Sequence, residues 1–155
     1  MTAPAQAPPP AAGPPPPRAP APAPAATVLP APVRRRFRAA DVAVHLDMVV
    51  IGDVCVAISL SGYRSILDGF FDDSSGSQAL LLAALDSGQT APLPALSHAV
   101  LGAAVSLGLR AVGQQAQQIE SGGAHFRPAD CAQHAADLRA QLATARALLQ
   151  RMGFA

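Results

Sequence analysis

Four histidines and two cysteines are the side chains of this chain best suited to covalent or metal chemistry. His98 stands out by its place on a helix. With Val100 set at 0° and about 100° per residue, Leu93, Leu96, Ala103 and Leu107 all fall within about 60° of it, while His98 falls at about 160°. The imidazole is therefore expected in mid-helix, opposite the core stripe, facing solvent. Gly102 lies one turn further on the same side, and Ala95, Leu101, Val105 and Leu109 surround the pair. A solvated helix face ordinarily carries Arg, Asp or Glu, and this one is expected to carry no charge. A nucleophilic ring on an exposed apolar face points to a docking surface for another protein. A mid-helix glycine costs roughly 1 kcal/mol against alanine. The missing side chain of Gly102 should therefore serve a close approach, by a partner or by a neighbouring helix of the same chain.

The other candidates rank lower. His125, Asp130, Cys131 and His134 have the spacing of a helix start, and Cys131 and His134 one turn apart could share a zinc ion. No second cysteine pair completes the set, and Cys131 falls on an apolar seam, so no metal site is expected. Ser97 precedes His98, but adjacent residues diverge by about 100° on a helix, which excludes a serine nucleophile with that base. His45 sits on a short amphipathic stretch and reads as packing or solvent. Neither a phosphate-binding glycine loop nor paired catalytic carboxylates stand out.

The elements that must hold His98 follow from composition. Half of the 155 residues are hydrophobic, but only 4% are aromatic, and there is no Trp. A core of Ala, Leu and Val favours closely packed helices over a β-sandwich. Thirteen of the 16 prolines fall in the first 32 residues, where Pro and Ala fill 24 positions. Residues 1–38 are expected to be a disordered Pro/Ala-rich arm with polyproline II character, ending in the basic run Arg34-Arg35-Arg36-Phe37-Arg38. Pro14 to Pro17 is a minor candidate for recognition by an aromatic groove. Residues 39–155 are expected to be an all-α domain, an antiparallel four-helix bundle with a short extra N-terminal helix.

Within the domain, Asp41 is a plausible N-cap for that short helix, with Gly52 ending it. Ser61 is placed as the cap of the next helix. Leu67 and Leu81 share a helical phase, which predicts one helix over 62–87 with a weak centre at Asp72 to Ser77. Pro92 and Pro94 open the helix of His98. Leu109, Val112, Ala116 and Ile119 give the next one a face, stopped by Gly122-Gly123. Pro128 opens the last, whose seam of Cys131, Ala135, Leu138, Leu142, Ala145, Leu149 and Met152 runs to Gly153.

Charge narrows the function classes. Residues 1–38 carry five Arg and no acid; residues 39–155 carry six Arg and ten acids, a net −4. Such a domain is a poor nucleic-acid binder, since phosphate contacts need clustered cations. Two cysteines make no disulfide framework, and fit a reducing compartment. The longest apolar run, Met48 to Leu60, is cut by Asp53 and is too short to span a bilayer. The expectation is a cytoplasmic protein without membrane insertion.

The stretch from Leu96 to Leu109, LSHAVLGAAVSLGL, resembles the signature of histidine-containing phosphotransfer (HPt) domains, which reads roughly Ala-His-x-Leu-Lys-Gly-x-Ala-x-x-Leu-Gly. His98 matches the phosphorylated histidine, Gly102 the glycine four residues on, and Leu107-Gly108 the closing Leu-Gly. Phe70-Phe71-Asp72-Asp73 through Ser87-Gly88 looks like the preceding family helix, and Gln117-Gln118-Ile119-Glu120 like the end of the following one. The resemblance covers about 60–120, with 121–155 as the closing helix. Where the family has Lys, this chain has Leu101, so the cation that helps hold the phosphoryl group is missing.

The resemblance implies a phosphorelay carrier, an intermediate in phosphotransfer rather than a self-sufficient enzyme. His98 would take a phosphoryl group from the aspartyl phosphate of a receiver domain and pass it to another. Gly102, Leu101, Ala95, Val105 and Leu109 would form the receiver-docking face. The implied partners are response-regulator receiver domains and a hybrid histidine kinase. The chain would need no cofactor of its own, with Mg²⁺ on the partner receiver. Leu101 favours an alternative, a docking module that binds a receiver or kinase without being phosphorylated. A helical scaffold pairing through the 128–152 seam is a third reading. The first two imply a monomer, or at most a weak dimer.

Overall fold

Apolar residues at helical spacing, punctuated by Pro and Gly, produce an all-α structure. The computed structural model describes residues 39–155, the side chains of residues 39 and 41 excepted. The expected arm, its Pro tract and its basic run lie outside these residues. Among the described residues every regular element is helical: α1 (Ala39–His45), α2 (Met48–Phe70), α3 (Ser77–Asp86), α4 (Leu93–Ser106), α5 (Arg110–Gly122), a 3₁₀ turn (Gly123–His125) and α6 (Pro128–Met152). Helix α4 packs on α3 and α5, α6 packs on α5 and α3, and α1 rests on α5 and α6.

The N-terminal part differs from the sequence expectation in its caps. Asp41 lies inside α1 rather than ahead of it, and Gly52 lies inside α2. The capping residue is Asp47, whose Oδ1 accepts from Val49 N and Val50 N at 3.1 and 3.3 Å. Its Oδ2 takes Arg110 Nη2 at 2.6 Å, and the Arg110 bond is the main reason that its carboxyl titrates below the usual range. Asp47 thereby ties the α1–α2 junction to the start of α5.

Helix α2 is kinked at Ser59, which has φ 70° and ψ 162°. Its hydroxyl accepts from Gly62 N at 3.3 Å, so Ser59, not Ser61, caps the second segment. That backbone region is essentially glycine territory and costs a non-glycine residue about 1–3 kcal/mol, while a Ser-to-Gly change at an N-cap loses only a few tenths. Ser59→Gly is therefore expected to raise stability by about 1 kcal/mol, read as a higher urea midpoint with an unchanged m-value. A lower midpoint would show that the hydroxyl outweighs the strain.

The single helix expected over 62–87 is two helices. Asp72 builds the break: Oδ1 accepts from Ser74 N (2.9 Å) and Ser74 Oγ (2.7 Å), and Oδ2 from Ser75 Oγ (2.6 Å). These bonds, Ser75 first, hold its carboxyl down at about 2. Buried Gln78 donates to Phe70 O and Asp72 O, both at 3.1 Å, closing the turn from inside. The shared phase of Leu67 and Leu81 survives, because both are fully buried, but across a turn rather than along one helix.

Leu67, Leu81, Leu93, Val100, Ile119, Leu138 and Leu149 are among the buried side chains of one core. Tyr63 sits among them and donates to Leu107 O at 2.8 Å; burial pushes its phenol up to about 12. The α6 seam is buried as expected except at its end, where Met152 is exposed. Gly153 follows in the left-handed conformation, φ 79°, the usual helix stop.

Candidate functional site

Helix α4 turns its core face slightly away from the expected stripe. Leu93, Ser97, Val100, Ala104 and Leu107 are buried, while Leu96 and Ala103 are only partly so. Ser97 tolerates burial because its hydroxyl donates to Leu93 O at 2.5 Å and is satisfied within the helix. This placement leaves His98 pointing outward, with its side chain 76% exposed.

The face of α4 carries no charged residue beside His98, as expected, but the neighbouring helix brings one to it. His98 Nδ1 lies 2.8 Å from Glu120 Oε1, on the neighbouring helix α5. A carboxylate only accepts, so Nδ1 carries the proton in this pair. In the neutral ring the lone pair is then on Nε2, the nitrogen turned away from Glu120. The turn between α4 and α5 explains the meeting. Gly108 has φ 71°, and a Cβ there would stand 2.8 Å from Asp47 O and from Ile51 Cγ1. The tight turn folds α5 back along α4, and His98 and Glu120 are each eleven residues from Leu109, at the turn.

The same turn corrects the docking face. Leu109 is fully buried, because α4 stops at Ser106 and the helical phase does not reach it. Its amide donates to Ala104 O at 2.8 Å, and the side chain joins the core. Ala95, Gly102 and Val105 are exposed, Val105 to 60%. Among the described residues nothing lies within 4 Å of where a Gly102 Cβ would stand, so none of them accounts for the missing side chain. Leu101 is half-buried. With Val105, Gly113, Gln117 and Val50 it lines a cavity of about 210 Å³, whose rim includes the Arg110–Asp47 pair.

The remaining candidates are dispersed. His134 stacks on Phe126 with ring centroids 4.4 Å apart, and its Nδ1 lies 2.9 Å from Gln115 Nε2. Asp130 closes a cap with Arg127, whose side chain holds the carboxyl down at about 2. Cys131 is in the core. Among the described residues no three His, Cys, Asp or Glu side chains gather as metal ligands. His45 is partly buried, and its Nδ1 has no hydrogen-bond partner among the described residues.

Glu120 is the neighbour of His98 that helical phase alone did not pick out. The available signal was its symmetry with His98 about the α4–α5 turn, which becomes usable once the turn is known to be tight. The chain matches no protein-family model, no curated protein and no solved structure.

Proposed function

We propose that the protein is a phosphorelay carrier of the HPt type, cytoplasmic, with helices α3 to α6 as its four-helix bundle and His98 as phosphoryl acceptor and donor. The observation that carries this reading is the exposed imidazole whose Nδ1 is engaged by Glu120, leaving Nε2 to the outside. Such a ring is a nucleophile oriented for a partner that docks on α4. Nε2 attacks the phosphorus of a receiver's aspartyl phosphate; the N–P bond forms as the P–O bond to the carboxylate breaks. The carboxylate leaves with the bonding pair, and no proton need move at Nε2. Glu120 stabilises the positive charge that develops on the ring. Such transfers depend on positioning and electrostatics, and the partner supplies Mg²⁺. The partners are receiver domains and a hybrid histidine kinase, reached over Ala95, Gly102 and Val105.

Incubation with a phosphorylated receiver domain, and separately with phosphoramidate, tests the proposal. Acid-labile, base-stable label on the protein supports it. Absence of label from both donors overturns it. The second reading, a docking module that is never phosphorylated, is favoured by Leu101, an apolar side chain where the resembled family carries the cation that helps hold the phosphoryl group. Leu101→Lys separates the two. A charged hydrogen bond to the phosphoryl oxygens is worth about 1.5 kcal/mol, so a carrier is expected to gain about tenfold in transfer rate. A pure docking module gains no label and loses affinity as the cavity fills.

A further inference from the structure

A cavity of about 340 Å³ opens between α3 and α6, beside the Asp72 turn. Phe71, Leu82 and Leu142 give it apolar walls, and Arg139, Arg146 and Asp73 give it charge. Small-molecule sites begin at about 300 Å³. Helix α4 packs on α3 and α5, and α6 packs on α5 and α3. The α3–α6 cavity and the α4–α5 groove of His98 and Glu120 therefore lie on opposite sides of these four helices.

Most polar groups at the cavity are already engaged. Arg139 Nη2 binds Asp86 Oδ2 at 2.5 Å. Gln78 Nε2 donates to Phe70 O and Asp72 O. Asp73 and Arg146 differ. Both are exposed, at the mouth. Among the described residues Asp73 makes no hydrogen bond or ion pair, and neither does Arg146. The Arg146 guanidinium lies over the Phe71 ring instead, 5.6 Å from its centroid. Stacking on an aromatic face holds a guanidinium while its N–H edges stay open to a carboxylate. The two opposite charges line one cavity, yet no ion pair joins them.

We propose that this cavity binds a free α-amino acid with an apolar side chain. A cation and an anion held apart at one mouth match a zwitterion. Arg146 donates to the α-carboxylate through paired N–H groups, and Asp73 accepts from the α-ammonium. The side chain enters between Leu82 and Leu142, which removes apolar surface from water. Other ligand classes fit less well. An apolar carboxylate would stand beside Asp73 with nothing to offset the repulsion, in a domain of net charge −4. An apolar amine would meet Arg146 in the same way. A neutral apolar ligand would take water from both charges and give them no partner.

Calorimetric titration of the full chain with L-leucine, L-phenylalanine and L-methionine tests this. At least one is expected to bind, with one site per chain. Its analogues lacking the amine or the carboxylate (4-methylpentanoate and 3-methylbutylamine for L-leucine) should bind about tenfold more weakly or worse, each having lost a charged hydrogen bond. Arg146→Gln and Asp73→Asn should each weaken the amino acid to a similar degree. Both side chains are exposed and hold no other element, so the circular dichroism spectrum should not change. Asp73→Asn should not weaken 4-methylpentanoate, which offers Asp73 nothing to hold. Absence of binding by all three amino acids at about 10 mM, where even a Kd weaker than 1 mM is measurable, overturns the inference. So does an analogue that binds as tightly as its amino acid, or binding indifferent to either variant. None of these readouts depends on phosphorylation of His98.

Discussion

His98→Gln is expected to leave the chain with no acid-labile label from either a phosphorylated receiver or phosphoramidate. Glutamine keeps a polar side chain of similar reach but offers no basic nitrogen to phosphorus. At a position 76% exposed it should change stability by no more than about 0.5 kcal/mol, so unfolding will not explain the loss. Label persisting on the variant would place the acceptor elsewhere and remove His98 from the mechanism. In the proposed carrier Glu120 acts as a positioning residue, and its removal should act by degree. Carboxylates that orient metal-ligating imidazoles are typically worth 10- to 100-fold, and by analogy Glu120→Ala should cost about tenfold or more. Glu120→Gln retains an oxygen that accepts from Nδ1, and should recover part of the rate. Equal losses for both variants would show that the negative charge matters and the orientation does not.

Gly108→Ala is expected to destabilise the fold by about 3 kcal/mol. An alanine at positive φ costs roughly 1 kcal/mol. Its Cβ would in addition stand 2.8 Å from Asp47 O and Ile51 Cγ1, neither of which is the free end of a long side chain. The turn must move, and the bond from Asp47 N to Gly108 O at 2.8 Å is lost or stretched. For a domain of this size the change should lower Tm by about 10 °C or more. Gly102→Ala, six residues earlier, should have the opposite sign. That position is helical and open, so alanine should add about 0.5–1 kcal/mol. If the proposed docking is right, it should also slow transfer from a receiver while leaving phosphoramidate labelling intact. A thermal melt of the two variants side by side decides whether the glycines have these separate tasks.

Several elements were legible because their signals are local. Pro92 and Pro94 open α4, Pro128 opens α6, Gly122-Gly123 stand at the end of α5 and Gly153 follows α6. Each acts through its own backbone. The outward direction of His98 was legible for the same reason, since periodicity within one helix needs no knowledge of its neighbours. Phase failed where it was carried through a weak segment. Leu67 and Leu81 agree in phase and are both buried, yet Asp72, Ser74 and Ser75 satisfy one another in a turn. There local side-chain bonds outcompete helix continuation.

The amino-acid sequence by itself determined an all-α domain after a Pro/Ala-rich segment, most helix ends, and an exposed histidine on the face of α4 away from the core. Tertiary structure alone decided what stands next to that histidine. Glu120 reaches it, Leu109 is taken into the core and Leu101 into a cavity wall, all because Gly108 turns the chain back within three residues. The reason is physical. Helical period is set by neighbours three and four residues away, whereas the partner of a side chain across a hairpin is set by the angle and tightness of the turn. That geometry depends on what the glycine packs against, here the backbone of Asp47 and the side chain of Ile51, which lie more than fifty residues away in the chain.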